Sequence, residues 1–165
     1  MASQFTVEAD PNDSDRLSGR TEDVLLLLGR IALGAIFVKS GIQKLMALSA
    51  FAASLASRGI PQSSAWAVIG ATIECVGGIL IVTGFKTRHA SVLMIMFVIV
   101  ATAISHRYWE FADAARRTQQ SQFFKNLSII GGFLLLFVTG SGRFGLDSLL
   151  RRRKNSRMPT SAARK

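Results

Sequence analysis

The chain has 165 residues, 49% of them hydrophobic, and a formal charge of +10, with a mean hydropathy of +0.33. That hydropathy excludes an ordinary water-soluble domain and fits a chain with about half its residues in lipid-spanning helices, each needing roughly 17–25 mostly apolar residues. The single cysteine, Cys75, excludes an internal disulfide, and no nucleotide-binding loop or nucleophile motif is present.

In chain order, residues 1–23 are polar and acidic (Glu8, Asp10, Asp13, Asp15, Glu22, Asp23). They lack the basic start and cleavable apolar core of a signal peptide, so the first span is expected to stay in place as an anchor. Their few large apolar residues predict a disordered tail. The first span is VLLLLGRIALGAIFVKSGIQKLM, residues 24–46, followed by FAASLASRGIPQSS, residues 51–64. Phe51 and Leu55 share a helical face there before Gly59 and Pro61 end it, which predicts a short interfacial helix.

Further spans are expected at residues 66–85, 89–106 and 123–140. No segment alternates with the two-residue period of a spanning β-barrel. The predicted fold is therefore an all-α integral-membrane four-helix bundle occupying residues 24–146, with a basic tail at 147–165. GGILIVTG (77–84) and GGFLLLFVTG (131–140) echo each other and suggest two packed hairpins, although small residues recur wherever membrane helices approach closely.

Four spans put both termini on one side. That side carries twelve Lys and Arg, the other six, with Arg30 and Lys39 inside the first helix uncounted. The positive-inside rule then places both tails in the cytoplasm. Much of the net charge lies in RRRKNSR, residues 151–157, where a juxtamembrane cluster attracts anionic lipid. No nucleic-acid-binding module accompanies it.

An ionisable group at mid-membrane costs about 2.5–3.5 kcal/mol on insertion scales and marks a functional site by default. On the first helix Arg30, Phe37, Gly41 and Lys44 share a face, whereas Lys39 points the opposite way and needs another neighbour or must snorkel. Glu74 is the one carboxylate in the spans. Arg30 is the expected partner of Glu74, as a catalytic or structural pair, with Lys39 the other cation within reach of it and Lys44 marking the outer boundary. A second set, Lys44, His106, Lys125 and Asn126, gathers towards the loops. There a neutral histidine can bond a quinone carbonyl and a lysine can stabilise an anion. Trp109 and His106 also fit as interface anchors, and Asn126 as a helix cap. His89 and His106 sit at opposite ends of one span and Cys75 has no partner thiol, so no metal site is expected.

GRIALGAIFVKSGIQKL (29–45), FAASLASRGIP (51–61), IECVGGILIVTGF (73–85) and FFKNLSIIGGFLLL (123–136) resemble the DoxX family of small bacterial membrane proteins, over residues 25–146. The ordered set Arg30, Gly41, Lys44, Glu74 and Asn126 is its more specific part. The resemblance implies a multi-pass protein of the bacterial inner membrane and a component of a membrane oxidoreductase. The wider family includes a subunit of a thiosulfate:quinone oxidoreductase and a component of a thiol-oxidant defence complex. A quinone and a sulfur or thiol partner are thus the implied small molecules, with a soluble redox enzyme or a second copy as implied protein partners. The rival expectations are a non-catalytic membrane anchor for a soluble enzyme and, last, a small carrier coupled to protonation of Glu74.

Overall fold

A computed structural model describes residues 11–156. Six α-helices run in the order α1 (Pro11–Met46), α2 (Leu48–Ala56), α3 (Ser63–Thr83), α4 (Thr87–Ser105), α5 (Asp113–Thr139) and α6 (Leu146–Ser156), with one 3₁₀ turn at Tyr108–Glu110. Four of them, α1, α3, α4 and α5, are long and apolar enough to cross a bilayer. The expected four-helix bundle is present.

Glycines set the closest approach, between α1 and α3. A Cβ added at Gly41 would lie 2.6 Å from the Cys75 nitrogen and 2.7 Å from its Cα, and one at Gly78 would lie 2.8 Å from the Val38 nitrogen. Only residues without a side chain let the two backbones meet there. The bundle closes around Phe37, Ile81, Met94, Val98, Phe133 and Leu136, with the Phe37 and Phe133 rings 5.5 Å apart.

The first crossing is bent. α1 stops at Met46 and, after Ala47, α2 packs on α3 through buried Ala52, Leu55 and Ala67. The expected short helix is thus there, with its apolar side against α3. α5 begins at Asp113, ten residues before the predicted span, because DAARRTQQSQ is polar yet helix-compatible and continues the helix beyond its apolar part.

One tail expectation is corrected: residues 11–23 are helical, continuing α1 without a break. Within the basic tail the stretch 146–156 forms α6. The remaining tail residues, 1–10 and 157–165, lie outside the described residues. At the junction before α6 the Arg143 amide donates to Asp23 Oδ1 at 2.7 Å. Asp147 accepts from the Lys86 and Thr87 amides at 2.7 and 3.0 Å, capping the free amides that start α4. Asp147→Ala is expected to cost about 1–2 kcal/mol, read as a lower thermal midpoint in detergent, with an unchanged midpoint counting against this cap.

Candidate functional site

The predicted Arg30–Glu74 pair does not form. Glu74 instead pairs with Lys44, Nζ to Oε2 at 2.5 Å, and the Glu74 side chain is 6% exposed against 33% for Lys44. The reason is axial register. With Gly41 against Cys75, α1 presents Lys44 to Glu74, whereas Arg30 reaches Gly84 at the end of α3. Gly84 lies ten residues beyond Glu74, roughly 15 Å along a helix. The expectation that Lys44 marks the outer boundary is corrected by the same fact, because Glu74 is the twelfth of the twenty-one residues of α3.

Arg30 is 1% exposed. Its guanidinium lies against Gly84 and Gly145 and donates to the Phe144 carbonyl at 3.5 Å, while Nε and Nη1 are without partners among the described residues. It joins α1 to the α3–α4 turn and the α5–α6 link. Lys39 is exposed on α1 and has no hydrogen bond or ion pair among the described residues.

The second expected set divides. Asn126 donates from Nδ2 to Thr102 Oγ1 at 2.8 Å, Thr102 Oγ1 donates to the Val98 carbonyl at 2.6 Å, and His106 Nδ1 meets Gln119 Oε1 at 2.8 Å. The Asn126 and His106 bonds lie along the α4–α5 seam and join helices in the way polar groups do inside membranes, while the Thr102 bond stays within α4. Asn126 lies inside α5 and bonds across to α4, so the expected helix-cap role is not what the structure gives it. Lys125 is exposed and bonds Gln122 on its own helix. None of the three touches the Lys44–Glu74 pair.

Lys44 opens instead on a cavity of about 570 Å³ between α2, α3 and α4. Phe51 and Leu55 line it from α2, Trp66, Ile69, Gly70 and Ile73 from α3, and Met96, Phe97, Val100 and Ser105 from α4. Lys44 is its one charged lining residue, with Nζ 5.1 Å from the centroid of the Phe51 ring. That volume is in the range of small-molecule sites, which are mostly apolar with a few placed polar groups. Arg58 of the α2–α3 connection donates to Ser105 Oγ at 3.1 Å and fixes the loop-side rim. Sequence reasoning singled out Lys44, Phe51 and Leu55. The lining of α4 was hidden because every residue of it reads equally well as lipid-facing.

An antiparallel bundle of four spanning helices, with a part-buried ion pair at mid-helix and an apolar cavity beside it, defines a small polytopic membrane protein. The sequence pattern of the DoxX family matches residues 25–107. Inner membrane protein YphA of Escherichia coli K12 is 40% identical over 129 residues, covering 78% of this chain and 92% of the relative. Inner membrane protein YqjF of the same organism is 31% identical over 134 residues, covering 81% and 98%. ER-derived vesicles protein ERV29 of Saccharomyces cerevisiae is 33% identical over 85 residues, which is 27% of that protein. No solved structure matches the chain significantly. The chain belongs to the DoxX family and is a multi-pass inner-membrane protein.

Proposed function

We propose that this protein is a component of a membrane oxidoreductase that takes a quinone-type carrier into the cavity between α2, α3 and α4. A sulfur compound or thiol, delivered directly or by a soluble enzyme, is the other redox partner. The observation that carries this reading is an apolar cavity whose one charged lining group is the Lys44 ammonium, itself held by Glu74.

A quinone ring is flat and apolar with carbonyl acceptors at its ends. Lys44 has three donors, of which Glu74 takes one, so a carbonyl can accept another. Phe51 and Trp66 offer aromatic surface to the ring, and the remaining lining suits an isoprenoid chain. A quinone takes up two electrons and two protons on becoming a quinol. Two thiols that close to a disulfide release the same number, so the two partners balance.

The test is extraction of quinone from protein purified gently in native lipid. A Cβ at Gly70 meets only the edge of the Phe51 ring, at 3.9 Å, so Gly70→Leu fills the cavity without forcing helices apart. Quinone is expected to accompany the unaltered protein and to fall about tenfold in Gly70→Leu, a loss equal to roughly 1.4 kcal/mol of binding. Equal quinone in both, or no more than in an unrelated membrane protein purified alongside, rejects the reading.

A further inference from the structure

We propose that α6 is a membrane-surface helix that binds anionic lipid head groups at the end of the bundle where α3 stops and α4 starts. Its root is held firmly. Besides the two amide bonds to Asp147, the Asp147 amide donates to the Gly84 carbonyl at 3.0 Å and Ser148 Oγ donates to the Gly142 carbonyl at 2.7 Å. Those bonds fix the start of α6 at the ends of α3 and α4, which is where these spans leave the bilayer. Beyond this root the helix is exposed: Leu149, Leu150 and all residues from Arg151 to Ser156.

The exposed surface is two-sided. At 100° per residue Leu146, Leu149 and Leu150 fall within an arc of about 100°. Arg151, Arg152 and Lys154 fall outside that arc, and Arg153 falls within it, one turn beyond Leu149 and Leu150, where its long stem carries the charge outward. None of the four cations in 151–154 is in an ion pair among the described residues. A helix with a leucine face and flanking arginines lies in the interface, the leucines among the acyl chains and the cations among the phosphates. Charge complementarity selects an anionic surface. A second copy would bring an equally basic α6 to the same place, and repulsion opposes that pairing.

The experiment uses the full-length protein in nanodiscs of phosphatidylcholine, with or without phosphatidylglycerol, and measures the rate of tryptic cleavage at Arg151–Lys154. Cleavage is expected to slow about tenfold with phosphatidylglycerol and to recover in high salt. Arg151→Gln/Arg152→Gln/Arg153→Gln should lose the lipid dependence at the remaining site, Lys154. The salt arm needs no variant and so stands even if this one inserts badly. Equal cleavage in both lipids overturns the proposal. So does protection that disappears when residues 1–10 are removed, which would make the acidic N-terminal segment the occupant.

Discussion

Exchange of Lys44 for methionine is expected to destabilise the folded protein by about 3–5 kcal/mol, because it strands the carboxylate of Glu74 inside the bundle. Glu74→Met is expected to cost less, towards the lower end of that range, since Lys44 is one-third exposed and can shift its ammonium into the cavity. Exchanging both should recover most of the loss, because a buried pair is often replaced by apolar residues of similar size at little cost. A double-mutant cycle followed by thermal unfolding in one detergent measures this directly. Simple addition of the two single effects would mean that the ion pair is not what links α1 to α3 at this level.

Gly41→Ala should be the second severe change. The added methyl meets the Cys75 nitrogen, Cα and Cβ at 2.6–2.8 Å, and backbone in the middle of a helix has no way to give. The helices must separate, at about 3 kcal/mol for overpacking of this kind. Separation also draws Lys44 away from Glu74, three residues further along α1 on the one side and next to Cys75 on the other. The expected signature is therefore loss of stability together with a smaller Lys44–Glu74 coupling in the same cycle. Gly131→Ala is the matched control, because nothing lies within 4 Å of a Cβ there. Equal stability of Gly41→Ala and this control would rule out the close α1–α3 contact.

The contrast between Arg30 and Lys44 shows what a sequence gives of such a site. Hydropathy located the four spans, and α3 and α4 begin and end within three residues of the expected limits. Helical spacing also put Arg30, Phe37, Gly41 and Lys44 on one face, and the structure buries or half-buries all four. Spacing within one helix carries no information on how far a neighbour has slid along its axis. That quantity is set by Gly34, Gly41 and Gly78 meeting backbone, and it decides which cation reaches Glu74. The bend at Ala47 was hidden for a related reason. Residues 43–51 contain no proline, and their Ala and Leu favour helix on both sides of the break. α6 was obscured because a cluster of arginines reads first as a topology signal. Its leucines count only once the chain before them has been fixed by Asp23 and Asp147.

Trp66, Ile69, Met96 and Val100 form one side of the cavity and are themselves 45–56% exposed on the outer surface of the bundle. A guest of the proposed site would therefore arrive sideways from the hydrocarbon. Its occupancy follows its mole fraction among the lipids, so dilution of the aqueous phase leaves a strongly lipophilic guest in place, whereas added lipid competes it away. Affinities for this protein have meaning per lipid molecule, and two compounds of equal fit will differ in apparent potency by the ratio of their solubilities in the bilayer.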